Sequence, residues 1–205
     1  MKSILLWFIC SILGLAIGAI SALFMAGLLF VGPKLGGTLV IDGWASDWSI
    51  GSETANPYVR ARVARHGLLA LQKEEAVYFT KATDPSGDPL REACTYRVEG
   101  SSLPATWWSI TLYDAQSRLP MNTDSRLSFD KTQAEFAFGG DVAWRFDVRA
   151  NAIADDSLPW VSSRAAGEFD LMLRLYRPTA DFLDDPVSVL EPPQIIRLSC
   201  DGEGE

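Results

Sequence analysis

The chain has 205 residues, 48% of them hydrophobic, and a net charge of −8. A phosphate-backbone partner asks for a basic footprint, so this acidic balance argues against nucleic acid binding, and a well-solvated surface is the plain reading of it. The length suffices for one domain with a sizeable core plus an anchor.

No charged residue lies between Ser3 and Pro33, and Lys2 and Lys34 bracket the run. About 20 apolar residues cross a bilayer core. A cleaved signal peptide has a shorter apolar region, roughly 7–15 residues, ending at a small-residue site. Ala19-Ile20-Ser21 offers such a site, but Leu23-Phe24-Met25 and Leu28-Leu29-Phe30-Val31 carry the apolar run past it. The expectation is an uncleaved transmembrane signal anchor over residues 1–33. Its short basic N-terminus places the following domain outside the cytoplasm. Gly14, Gly18, Ala22 and Ala26 recur at four-residue spacing, which lets two helices approach closely in lipid. They suit packing against a second copy, making a homo-oligomer, or against another membrane protein. The bland alternative is the ordinary abundance of Gly and Ala in such helices.

Residues 34–55 read as a juxtamembrane linker. Gly32-Pro33-Lys34-Leu35-Gly36-Gly37 is a hinge. Thr38-Leu39-Val40-Ile41 suits a short strand. Trp44-Ala45-Ser46-Asp47-Trp48 reads as a loop whose two tryptophans either touch the membrane interface or pack on the domain. The domain runs from 56 to 200, with an acidic tail at 201–205. Asn56 is a good N-cap and Pro57 suits the first helical position, so an amphipathic helix should run to about Lys73. Arg60, Arg62 and Arg65 lie in its first half, on a solvated face or near anionic headgroups. The single histidine, His66, falls in the same helix.

Beyond Glu75 the pattern changes to period two. Val77-Tyr78-Phe79-Thr80 is a strand, and Asp84-Pro85-Ser86-Gly87-Asp88-Pro89 has turn chemistry throughout. That turn lacks the regular acidic spacing and closing Glu of a calcium loop. Further strands are expected near 94–99, 106–113, 134–138, 143–149, 168–176 and 194–199. Several strands separated by turns, behind one helix, read as a mainly β fold, a jelly-roll-like antiparallel β-sandwich.

Of three cysteines, Cys10 lies in the anchor. Alternation places Cys94 with Tyr96 and Val98, and Cys200 with Ile196 and Leu198, on the apolar faces of their strands. If those strands are neighbours, a Cys94–Cys200 disulfide is geometrically open to an oxidising compartment. Two buried free thiols are the alternative. No Cys/His cluster has zinc spacing, and neither metal nor cofactor is expected.

Neighbouring residues on a strand point to opposite faces, which gives Trp107-Trp108 its interest. Trp108, Ile110 and Leu112 share one side, a core face. In the strand beginning at Trp144, the core side is Trp144, Phe146 and Val148. In the strand beginning at Phe169, it is Phe169, Leu171, Leu173 and Leu175. If these strands share a sheet, its other face collects Trp107, Ser109, Tyr113, Arg145, Asp147, Arg174 and Tyr176. Trp, Tyr and Arg are over-represented in protein interfaces, and an aromatic platform beside Arg and Asp also suits a sugar. The bland reading is a face covered by the Asn56–Lys73 helix or a loop, with its charges ordinarily paired. Catalytic motifs are absent from the sequence: no G-x-S-x-G, no H-E-x-x-H and no glycine-rich phosphate loop. The enzymatic alternative is an envelope carbohydrate-active or hydrolytic enzyme that brings Asp147, Asp170 and Arg174 together in an open cleft.

Four stretches resemble the DUF1214 family of bacterial proteins: Asp84 to Pro89, Cys94-Thr95-Tyr96-Arg97-Val98-Glu99-Gly100, Trp107-Trp108-Ser109-Ile110-Thr111-Leu112-Tyr113-Asp114, and Phe169-Asp170-Leu171-Met172-Leu173-Arg174-Leu175-Tyr176. Pro193 to Cys200 is similar to the family's closing strand. The resemblance covers about 55–200 and implies a jelly-roll-like sandwich of unknown function. In many relatives this domain follows a DUF1254 domain in one chain. Here a membrane anchor precedes it, which implies a separate DUF1254-like membrane protein as partner. The expectation is therefore a binding or assembly module of the bacterial envelope, single-pass in the inner membrane with its domain in the periplasm.

Overall fold

An unbroken apolar run with good helix formers makes α1 (Lys2–Met25). The protein is described by a computed structural model, at residues 2–29, 37–50, 56–65, 71–139, 143–153 and 157–201. Gly27 ends α1 by taking φ 70°, a left-handed conformation that glycine reaches without strain. The Leu28 N–H then donates to the Leu23 carbonyl at 2.9 Å, closing the last turn. The segment Ser3–Met25 has a mean hydropathy of 2.4, long and apolar enough to cross a membrane or to act as a signal sequence. In α2 (Pro57–Arg65), Asn56 Oδ1 accepts from the Tyr58 N–H at 2.9 Å, the cap expected of it. The helix does not reach Lys73: residues 71–72 are coil, and the Gln72 carbonyl accepts from Glu75 and Ala76, a turn that launches the next strand. His66 lies outside the described residues. One compact unit comprises Met1–Thr38 with Trp48–Leu71, and a second comprises Leu39–Asp47 with Gln72–Glu205.

The second unit is mainly β. β1 (Thr38–Ile41) and β2 (Trp44–Asp47) are joined by Asp42-Gly43, with φ 48° and 81°, the two left-handed positions of a tight hairpin. The expected Trp44–Asp47 loop is thus a strand. Trp44 is fully buried and donates from Nε1 to the Pro193 carbonyl at 2.8 Å, so it does not sit at a lipid interface. There follow β3 (Ala76–Lys81), β4 (Cys94–Gly100), β5 (Ala105–Asp114), β6 (Ser128–Asp130), α3 (Lys131–Phe138), β7 (Trp144–Arg149), β8 (Trp160–Ser162) and β9 (Phe169–Pro178). The chain closes with α4 (Ala180–Asp184), α5 (Pro186–Val189) and β10 (Gln194–Cys200). The strands form a six-stranded sheet, β1-β2-β3-β9-β5-β6, and a four-stranded sheet, β10-β4-β7-β8, in which β7 and β8 run parallel. Their apolar faces meet: Trp108 lies 4.5 Å from Trp144, Phe129 lies 4.6 Å from Phe146, and Tyr96 lies 5.9 Å from Phe169. Aromatic pairs at these separations add to the burial of their area.

Two expectations fail for local reasons. Residues 134–138 are not a strand but the body of α3. Asp130 and Gln133 form a reciprocal capping box, and Gly139 closes the helix at φ 81°. Ala134 is its buried residue, and Phe136 stands almost wholly in solvent. On β10, Ile196 and Leu198 are exposed and Ile195 is buried, the reverse of the expected face. A bulge between Arg197 and Ser199 inserts one residue. That extra residue restores the parity of Cys200, which comes to lie directly across from Cys94, and the two are joined by a disulfide. The Asp84–Pro89 segment is a turn held by its own carboxylate. Asp84 Oδ1 accepts from the Ser86 and Asp88 N–H groups at 2.9 and 3.1 Å, and Arg197 of β10 ties both acids at 3.3 and 3.0 Å.

Candidate functional site

Strand alternation on β3, β9 and β5 builds the outer face of the six-stranded sheet. Trp107 stands opposite Tyr176, Ser109 opposite Arg174, Thr111 opposite Met172, and Tyr113 opposite Asp170. Tyr78 of β3 joins this face opposite Arg174. Five of the sequence-predicted residues, Trp107, Ser109, Tyr113, Arg174 and Tyr176, therefore share one surface. Arg145 and Asp147 do not. They lie on β7, in the other sheet, because β7 pairs with β4 and β8 rather than with β5 or β9.

Trp107 is 36% exposed, its ring 5.3 Å from Tyr176, and its indole N–H donates to Thr132 Oγ1 of α3 at 3.1 Å. Arg174 Nη2 donates to the Tyr113 hydroxyl, and its guanidinium sits 5.6 Å from the centre of that ring, within cation–π range. Ser109 and Thr111 are buried between these longer side chains' strands. Burial pushes the Tyr78 hydroxyl above its ordinary value; Tyr176 and Tyr113 add to the effect and Arg174 opposes it. Among the described residues, two buried atoms of this face have no hydrogen-bond partner, Arg174 Nε and Asp170 Oδ1.

Burial, with the Asp114 charge adding to it, pushes Asp170 up to about 6. In the unfolded chain an aspartate titrates near 4, so the folded form holds the extra proton between about pH 4 and 6. Stability from this group is complete below pH 4 and is lost as the pH rises through 6. Asp170→Asn should remove a slope on the order of 2 kcal/mol over that window, read from urea unfolding at pH 4.5 and 7.5. An unchanged difference between the two pH values would disprove the assignment.

The four-stranded sheet carries a different cluster on its outer face. Asp147 takes Arg97 Nε at 2.9 Å and lies 3.5 Å from Arg149 Nη1. Arg149 and Arg126 lie 4.8 and 5.0 Å from the ring centre of the buried Trp160. Arg145 is exposed, across the ladder from Glu99. With Asp147 committed to this network, Asp147, Asp170 and Arg174 do not converge. The paired-carboxylate cleft of the enzymatic alternative is not formed. Among the described residues, no group of three His, Cys, Asp or Glu side chains could hold a metal ion.

The face presents aromatic area, tyrosyl hydroxyls, the Arg174 guanidinium and the Asp170 carboxyl. Tyr78 and Thr132 are its unforeseen members. Tyr78 was legible from the alternation of Val77-Tyr78-Phe79-Thr80. Thr132 was not, since it reaches Trp107 from a helix the period-two pattern concealed.

A family model described as a protein of unknown function, DUF1214, matches residues 75–180, just over half of the chain. No curated protein matches. Among solved structures, the VPA0106 protein from Vibrio parahaemolyticus is 21% identical at a TM-score of 0.55, over 71% of this chain and 36% of that one. A putative uncharacterized protein from Burkholderia cenocepacia is 18% identical at a TM-score of 0.39, over 90% of this chain and 42% of that one. The chain thus spans well under half the length of either, and the Vibrio likeness is one of fold.

Proposed function

The chain belongs to the DUF1214 family of unknown function, and we propose that it is a membrane-tethered binding and assembly module of the bacterial cell envelope. Its β unit is then a jelly-roll-like sandwich, anchored in the inner membrane by α1, with the domain in the periplasm. The partner is a separate membrane protein of DUF1254 type. The observation that carries the reading is the outer face of the six-stranded sheet, where Trp107, Tyr176, Tyr113 and Arg174 lie side by side. These are the residue types that dominate interface energetics. The Cys94–Cys200 disulfide supports an oxidising compartment.

The test is photo-crosslinking in native membranes, using the full chain with a benzophenone amino acid in place of Trp107. A single membrane-protein adduct is expected, together with loss of co-purification in Trp107→Ala/Tyr176→Ala. Absence of any adduct at position 107, or co-purification that survives both substitutions, would count decisively against this face as the interface.

A further inference from the structure

We propose that the groove bounded by the end strands β1 and β10 is a second docking site, for an extended segment of another protein that alternates apolar and basic side chains. It is an open groove of about 760 Å³, on a surface remote in the ladder from Trp107. Its apolar wall is made by Val40, Val187, Leu190, Pro192 and Ile196. Three of these stand well into solvent, Val187 at 61%, Val40 at 57% and Ile196 at 41%. Apolar side chains gathered in one concavity, rather than scattered, mark an interaction surface.

The form of the occupant follows from the strands. β1 has only β2 beside it, and β10 has only β4, so each carries one edge to which no strand is paired among the described residues. Such an edge accepts an added strand, whose main chain supplies hydrogen bonds and whose alternate side chains enter pockets. Alternation then fixes the side chains: every second residue meets the apolar wall.

The charge of the occupant follows from the rim. Asp42, Glu99 and Glu191 line the groove, and no lysine or arginine does. Among the described residues, Arg97 interacts with Glu99 of the rim, and two more cations stand behind it. Lys81 Nζ donates to the Asp42 carbonyl at 2.8 Å, and Arg145, across from Glu99, lines an adjoining cavity of about 310 Å³. Glu191, exposed on the connection into β10, has neither of these beside it and is the acid best placed to meet an incoming cation. Complementary charge of this kind sets which partner is admitted and in which register.

The experiment uses the full chain in detergent micelles and two fluorescent octapeptides, one alternating valine with lysine and one alternating valine with glutamate, followed by anisotropy. The lysine peptide should bind saturably, and the glutamate peptide at least tenfold more weakly. Glu191→Lys and Ile196→Asp should each weaken the lysine peptide by about tenfold or more, whereas Met121→Gln, a distant and exposed position, should match the parent chain. Circular dichroism of each variant guards against unfolding. No binding, equal binding of both peptides, or affinity untouched by Glu191→Lys would overturn the proposal. Because Trp107 takes no part, these outcomes are independent of the cross-linking result above.

Discussion

Cys200→Ser is expected to lower the thermal unfolding midpoint of the β unit by roughly 5–20 °C, a loss of about 2–5 kcal/mol. The bond joins residues 106 apart in sequence. Closing so long a loop restricts the unfolded chain, worth about 4–5 kcal/mol in the chain-entropy model. The folded side of the balance points the same way. β10 is an end strand with β4 as its one neighbour, and its buried apolar residue is Ile195. Beyond the ladder, Arg197 on Asp84 and Asp88 and the Trp44 indole on the Pro193 carbonyl help to hold it. Differential scanning fluorimetry of the parent chain, with and without reductant, is the measurement. Reduced parent and Cys200→Ser should coincide. If reduction leaves the midpoint where it was, the bond does not contribute to stability.

Gly100→Ala should destabilise the fold by about 3 kcal/mol, an unusually large effect for adding one methyl group. Gly100 ends β4 directly across from Trp144, whose ring lies over the glycine. A Cβ at this position would come within 2.3 Å of Trp144 Cζ2 and within 2.6 Å of Cη2. The ring is held where it is. Its Nε1 donates to the Ser101 carbonyl at 2.7 Å, and it packs on Trp108 and Phe129 of the opposite sheet and on Phe146 of its own strand. Trp144→Ala should itself cost about 3–5 kcal/mol, because it opens a cavity between the two sheets. The pair distinguishes this account from a general intolerance at position 100. In the Trp144→Ala background, Gly100→Ala should cost under about 1 kcal/mol, since the clashing ring is gone. Urea unfolding of the four proteins closes the cycle, and strict additivity would show that the ring and the glycine are not coupled.

Half of the candidate face is legible in the sequence. Trp107, Tyr113, Arg174 and Tyr176 share one surface in the structure because β5 and β9 alternate strictly along their length and are neighbours in the sheet. Arg145 and Asp147 alternate just as cleanly, yet they belong to the other sheet. The Cys94–Cys200 pair shows the converse. Alternation assigned Cys200 to the face of Ile196 and Leu198, which are exposed; a one-residue bulge brought the thiol round to Cys94. In α3, the spacing of Ala134, Phe136 and Phe138 imitates a strand, while Asp130, Gln133 and Gly139 supply helix caps that outweigh it.

By itself the sequence determined what is local: an apolar helix at the N-terminus, the turn at Asp84–Pro89, and the opposite orientations of Trp107 and Trp108. Each follows from the backbone geometry of a few consecutive residues, whose side chains alternate or cycle whatever lies around them. Only the tertiary structure decided which sheet each strand joins, that Trp44 is buried rather than at a membrane surface, and that Gly100 must remain bare beneath Trp144. Those depend on hydrogen bonds and ring contacts between residues tens of positions apart, and no periodicity along a single strand records its neighbour.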